Sequence, residues 1–552
     1  MSTLLGLKSG IATLFFLYLV AGNPYCTYAQ NPRLVVGIVV DQMRADYLRR
    51  FIPKRSTGFR RLLEEGIVYW NCHYVYFPTY TAPGHASIYT GATPAYHGIV
   101  GNTWYERQLG RPYYCVLDTT VQPIGTSSKA AQRSPRMLQA STITDELRYA
   151  SRFQSKVIGI ALKDRAAILP AGRAGTLALW FDSREGLWVT SSYYTDTLPE
   201  WVMRFNQRRY PDSLLRLDWT LPSRLICQDE SLYEGTIGKN STTRFPHRPT
   251  SYEELLLTPA GNWLTFRLAQ EAIESERLGR HRTTDFLALS LSSPDLAGHL
   301  FGTESCELEA LYHELDRQLG LFLDYLARRF KKEEILVFLT ADHGAAPTPE
   351  ILAEKGFGMG RFPEKALLEQ AQAYLRAQLG LPESLSPIAA FLNQNFYLAE
   401  WLSPAQKREA ARLLKSWLMT QPHVIWAYTS EELSGGGSTF YAFEMVQAGF
   451  FASRCGEVIV IYAPGWLDSE NYSQGTTHGS IWTYDTHVPL IWWGGGLRAQ
   501  SFYERVPITA IAPTLAFILR APLPSTAFTP PLPEVIQQWR LPPLEVQEQG
   551  VN

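Results

Sequence analysis

The chain is predicted to be an α/β protein, a mostly parallel central sheet with helices on both faces and insertions near the active-site edge. Three observations predict it. Continuous apolar runs rich in β-branched residues, such as Leu34-Val-Val-Gly-Ile-Val-Val40, read as strands buried on both faces. These runs alternate with helical segments, the rhythm of parallel sheets covered by helices. Of the 552 residues, 45% are hydrophobic and 19% charged, enough apolar material for a large core and too much for a disordered chain.

Taken in order, the chain opens on Lys8 and an 11-residue apolar stretch, Ile11 to Ala21. That is short of the roughly 20 residues a membrane span needs. With Thr27 and Ala29 at the −3 and −1 positions, residues 1–29 read as a signal peptide cleaved after Ala29, which places the mature chain in the periplasm or outside the cell. No later stretch is long and apolar enough to span. Residues 30–552 then form one domain. Further strands are expected at Val157–Ala161, Asp285–Leu291, Ile335–Leu339, Glu457–Tyr462 and Val488–Trp493. An amphipathic helix is expected from Glu304 to Arg329, with Leu308, Leu311, Leu315, Leu319 and Phe322 on one side. Two regions break the rhythm and read as insertions: residues 192–262, rich in Tyr, Trp, Pro and Arg, and residues 362–435, with a helix from Pro404 to Leu418. The Pro-rich tail after Ala521 is either a strap or a loose end.

Charge and cysteine content narrow the function. Fifty-one Lys and Arg balance 52 Asp and Glu, so no overall basic field favours nucleic acid, although a local basic site remains open. Beyond Cys26 in the leader, Cys72, Cys115, Cys227, Cys306 and Cys455 form no C-x-x-C pair. A thiolate zinc site is therefore not expected. An oxidising compartment allows up to two disulfides and leaves at least one thiol free. Nothing indicates an obligate protein partner.

The ends of the strands carry the chemistry. The first strand runs into Asp41. The strand at 285–291 leads to Asp295 and His299, one helical turn apart. The strand at 335–339 leads to Asp342 and His343. His478 precedes the strand at 488–493. Ligands in open α/β sheets bind beyond the carboxyl ends of strands, and carboxylates mixed with imidazoles suit Zn²⁺. Thr81, in Thr81-Ala-Pro-Gly-His-Ala-Ser, reads as a helix N-cap with Pro83 in the first turn. A hydroxyl there sits among free backbone N–H groups, a natural anion site, and a metal ion can activate it as a nucleophile.

On these residues the chain resembles the zinc-dependent alkaline phosphatase superfamily. The resemblance is to the branch with a threonine nucleophile, which holds nucleotide pyrophosphatase/phosphodiesterases and phosphate-irrepressible bacterial alkaline phosphatases. The motifs are Val-Asp41-Gln-Met-Arg, Thr81-Ala-Pro-Gly-His-Ala-Ser, Gly101-Asn102, Asp295-x3-His299, Ala-Asp342-His343-Gly and Thr-His478-Gly. The resemblance implies two Zn²⁺ ions, one on Asp295, His299 and His478, the other on Asp41, Asp342 and His343 and activating Thr81. It also implies a phosphothreonine intermediate and an Asn102 that hydrogen-bonds a phosphoryl oxygen, with the N–H of Ala82 beside it. His487 is a rival to His478, with Asp485 and His487 otherwise supporting the ligands. His85 and His97 read as structural.

Lys163-Asp-Arg165 follows a strand, and a spacing of two puts both cations on one side of an extended segment. Two fixed cations suit the dianion of a phosphate monoester, and the monoesterase branch of the resemblance has such a Lys-x-Arg pair. The expected activity is hydrolysis of small-molecule phosphate monoesters with release of inorganic phosphate. The alternatives are a phosphodiesterase or nucleotide pyrophosphatase and, from another class, an inactive protein that captures phosphorylated ligands. A sulfatase is not expected, because a Cys/Ser-x-Pro-x-Arg motif is missing around Thr81.

Overall fold

The computed structural model describes residues 31–540, apart from 53–55, 224, 226, 228–231, 239–241 and 469–472. The signal peptide lies outside the described residues. In chain order the principal strands are β1 (Leu34–Val40), β2 (Ile67–His73), β3 (Val157–Ala161), β4 (Leu177–Asp182), β5 (Leu187–Ser191), β6 (Asp285–Leu291), β7 (Ile335–Thr340), β8 (Ile388–Leu392), β9 (Asn395–Leu398), β10 (Val424–Thr429), β11 (Val458–Tyr462) and β12 (His487–Gly494). The helices used below are α1 (Thr81–Thr90), α2 (Asp164–Ala171), α3 (Ser293–Phe301), α4 (Cys306–Ala327), α5 (Glu364–Leu379) and α6 (Pro404–Leu418).

An 11-stranded sheet runs from the edge strand Gln500–Phe502 through β2, β12, β7, β1, β6, β3, β4 and β5 to Pro123–Ile124, with Val506–Pro507 pairing β2 off this path. Its middle is parallel: β1 pairs with β7 and β6, and β3 pairs with β6 and β4. All seven residues of β1 are buried, as its unbroken apolar run requires for a strand covered on both faces. β12 is antiparallel to both β7 and β2, and β5 is antiparallel to β4. One helical layer contains α1, α2 and the helix Ile511–Leu519; another contains α4 and the helix Pro259–Ser275.

One expected sheet strand lies elsewhere. β11 is not in the central sheet but pairs antiparallel with β9 and β10 in a separate four-stranded sheet. Its apolar run is buried on both faces all the same: Val458, Val460 and Tyr462 join a separate core with α5 and α6, while Ile459 and Ile461 join a cluster with residues of α1 and α2. The run alone does not say which sheet buries it. β8 and β9 form a hairpin whose turn, Asn393-Gln394, has both residues at positive φ. The Asn393 amide reaches across to donate to the carbonyl of Thr103 at 2.6 Å, which ties this small α+β layer to the loop carrying Asn102.

Cys227 and Cys306 form a disulfide; Cys72, Cys115 and Cys455 are buried free thiols. The tail is a strap as far as residue 540: its helix, Pro533–Arg540, buries Val535 and Trp539.

Candidate active site

The motif residues meet at the carboxyl edge of the sheet. Asp41 is the residue after β1, and Asp342 and His343 follow β7, its parallel neighbour. Asp295 and His299 lie one turn apart on α3. His478 arrives on the loop before β12. The structure groups Asp41, Asp342 and His343, and separately Asp295, His343 and His478, with the ligand atoms of each set within 4.8 Å of one another. His343 thus stands between the two sets. His299 Nε2 is 3.2 Å from Asp295 Oδ1, beside the second set.

The orientation of the imidazoles fits a metal. Nδ1 of His299, His343 and His478 faces the carbonyls of Thr476, Gly344 and Thr79, at 2.9, 2.9 and 2.8 Å. Nδ1 therefore donates, and the Nε2 lone pair is turned inward. Each Nε2 points at a carboxylate: His343 lies 3.5 Å from Asp41 Oδ1 and from Asp342 Oδ2, and His478 lies 3.5 Å from Asp295 Oδ1. A lone pair facing an anionic oxygen is repulsive unless a cation lies between them. Asp41 Oδ1 and Asp342 Oδ2 are buried without a hydrogen-bond partner among the described residues. Burial pushes the His478 imidazole down to about 3 and holds His343 well below its ordinary range, with His478 adding to the effect. Both rings are neutral. Three buried carboxylates then share the single ammonium of Lys163, which bonds Asp41 Oδ2 at 2.7 Å and also Asp295 Oδ2. Burial and the Asp295 charge raise the Asp41 carboxyl; burial and the Asp41 charge raise Asp342 further. Burial would raise Asp295 too, but the neighbouring His299 ring and the Lys163 ammonium outweigh it and hold that carboxyl well below the usual range. Buried negative charge of this kind needs compensating cations, and the N/O donor set fits zinc-type ions.

Thr81 differs from its expected local role. Tyr80, with φ −112° and ψ 164°, is the N-cap, and Thr81 is the first helical residue. Its hydroxyl caps nothing; Oγ1 lies 3.4 Å from His343 Nε2. α1 approaches closely enough to place it there because residue 84 is Gly. A Cβ at that position would come 2.2 Å from the Asp342 carbonyl oxygen. The N–H of Ala82 also differs: it donates to Asn102 Oδ1 at 2.9 Å and so is not a free anion donor. That bond fixes the Asn102 amide with its NH₂ as the remaining donor group.

Lys163 and Arg165 do not share an extended segment. Lys163 is the N-cap of α2 and Arg165 lies in its first turn. Both still line the same cavity of about 750 Å³, together with Thr81, Asn102, Asp295, His299 and His478. Arg165 donates to the Tyr114 hydroxyl at 3.0 Å, and Tyr114 in turn donates to Asp164, which Arg133 holds at 2.7 Å. Arg165 Nε is buried without a partner among the described residues.

Of two supporting residues, Gln42 was not singled out in the sequence, and His85 was read there only as structural. Gln42, buried at φ 63°, donates from its backbone to Asp342 Oδ1 at 3.2 Å and from its side chain to Asp295 Oδ1 at 2.9 Å. It thereby links the two sets. His85 bonds the Thr81 carbonyl at 2.9 Å and Ser290 Oγ at 3.0 Å, and lies 3.4 Å from Asp342 Oδ2. Its motif position was the only signal. His97 is structural, bonded to Ser87 and the N–H of Ile99. His487 stands apart from both sets: its Nε2 bonds the Trp70 carbonyl and its ring stacks on His73. Asp485 accepts from the backbone N–H and hydroxyl of Ser480 at 2.7 and 2.6 Å, bracing the turn after His478.

The family model described as Type I phosphodiesterase / nucleotide pyrophosphatase matches residues 35–487. The chain belongs to that family. Within it, the chain is 39% identical over 524 residues to alkaline phosphatase PafA of Elizabethkingia meningoseptica, covering 92% of this chain and 95% of that one. It is 38% identical over the same length and shares to a Myroides odoratus protein named "Calcium-transporting ATPase". The crystal structure of wild-type PafA superposes with a TM-score of 0.87 at 37% identity, covering 92% of this chain and 99% of that one. A second PafA structure is of a variant with one Thr, one Asn, one Lys and one Arg substituted.

Proposed function

We propose that this phosphatase is an exported enzyme that hydrolyses phosphate monoesters by double displacement, with Thr81 as nucleophile. The observation that carries the proposal is the Thr81 hydroxyl: free of capping duty, 3.4 Å from His343 Nε2, and lining one cavity with Asn102, Lys163 and Arg165. The PafA variant, substituted at these same four residue types, supports the choice. Export is supported by the pattern of residues 1–29 and by the Cys227–Cys306 disulfide.

Asp41, Asp342 and His343 would hold one zinc ion, and Asp295, His299 and His478 another. When bound, the pair supplies Lewis acidity for the hydroxyl and for the oxygens around phosphorus. The Thr81 hydroxyl gives up its proton to solvent as its Oγ bonds to phosphorus and the ester P–O bond breaks; the leaving oxygen takes a proton from solvent and departs as an alcohol or phenol. Water then attacks the phosphothreonine, returning the Thr81 hydroxyl and releasing inorganic phosphate. Asn102 offers its NH₂ to a phosphoryl oxygen. Lys163 and Arg165 meet the additional charge that a monoester carries and a diester lacks. Arg165 is held in place for this by Tyr114 and Asp164.

The test is kcat/KM on a matched aryl monoester and diester, for the native enzyme and for Lys163→Ala/Arg165→Ala. The monoester loss is expected to exceed the diester loss by about 10²-fold or more. Equal losses would reject the specificity argument and favour the diesterase reading.

A further inference from the structure

At the opposite edge of the sheet, a second cavity of about 560 Å³ opens among the segments that lead into β1, β3 and β6. Arg33, Arg280, Arg282 and Arg520 line it, and no Asp or Glu is among its lining residues. In a chain with a net charge of only −1, that is a strong local concentration of one sign. Some of this charge is already engaged within the fold. Arg33 pairs with Glu334 at 3.0 Å, and His281, also in the lining, bonds Asp285. Arg280 donates to the carbonyl of Arg329, lies 5.1 Å from the Phe330 ring centroid and helps to lower the Glu274 carboxyl, so its charge is only partly answered. Arg282 is exposed. The walls also carry buried hydroxyls without partners among the described residues. Ser155, 0% exposed, and Thr283 each present an oxygen that makes no hydrogen bond. An unpaired buried hydroxyl is costly. Guanidinium forks combined with hydroxyl donors are the set that recognises tetrahedral oxyanions.

We infer that this cleft is a second, non-catalytic site for a ligand bearing two or more phosphate-type oxyanion groups. A cavity of about 560 Å³ with four arginines in its lining exceeds what one phosphate would engage. Ser155 and Thr283 would donate at the cavity wall, while Arg280 and Arg282 take the outer oxygens. The site is independent of the monoesterase reading, because it shares no residue with the catalytic edge.

Titration calorimetry of the metal-loaded enzyme with inositol hexasulfate at physiological salt tests it, since this hexa-anion has no phosphate ester to hydrolyse. Saturable binding is expected, weakened at least about tenfold in Arg280→Ser/Arg282→Ser, with kcat/KM for an aryl phosphate unchanged in that variant. Phosphatidylglycerol vesicles in a parallel sedimentation arm separate a lipid source from a soluble one. Equal affinity in the two proteins, or no saturable binding, overturns the inference. Binding to vesicles without binding to the soluble probe also overturns it, in favour of a flat membrane-facing patch.

Discussion

Asp41, Asp342 and His343 stand at the ends of two hydrogen-bonded parallel strands, whereas Asp295, His299 and His478 come from a helix and a loop. The first set is held by fully buried strands and keeps two carboxylate oxygens without hydrogen-bond partners among the described residues. The second set is braced from outside, by Gln42 through Asp295 and by Asp485 through Ser480. The lesson is that the strand-end half takes its geometry from the core, while the loop half depends on hydrogen bonds that single substitutions can remove.

The largest expected effect is at Thr81, which faces the strand-end half. Thr81→Ala should lower turnover by at least about 10³-fold, with metal content unchanged. Turnover near that of the native enzyme would reject Thr81 as nucleophile. Asp342→Asn comes next. It should remove one ion of the two and most activity, while the loop half keeps its own ion, as read by metal analysis of the purified variant. Loss of both ions would mean that the halves are not separable. Gln42→Ala should then cost about 10- to 100-fold in metal affinity or activity, and a near-native result would remove Gln42 from the bracing of Asp295.

Asp485→Asn should have the smallest effect, about tenfold on activity, together with a distinct pH signature. Burial pushes the Asp485 carboxyl up to about 7. The folded state therefore binds this proton more tightly than the unfolded state does. Its contribution to stability is full below the unfolded value near 3.9 and is lost as pH rises toward 7. In thermal melts of the chelator-treated protein, Asp485→Asn should lack this decline between about pH 4 and 7. Parallel pH profiles for the two proteins would show that Asp485 does not titrate there.

This comparison also explains what was legible in the sequence. The strand-end candidates were readable because a continuous buried strand ends where its apolar run ends, and Asp41, Asp342 and His343 come just after. The α3 pair was readable from its one-turn spacing. Gln42 was not, because its role comes from a positive φ and two long-range hydrogen bonds that no local pattern encodes. The cap at Thr81 was misplaced by one residue, since Tyr80 supplies the extended backbone without a capping side chain. The strand at Val458–Tyr462 was readable as a strand but not as part of the smaller sheet, because burial on both faces looks alike in either place.

The central claim is that the reaction passes through Thr81. Acid quench during turnover of an aryl phosphate, followed by peptide mapping for a phosphoryl group, tests it most directly. The account predicts phosphorylation of Thr81 in the peptide containing Thr81-Ala-Pro-Gly-His. A phosphoryl group on another residue would contradict it.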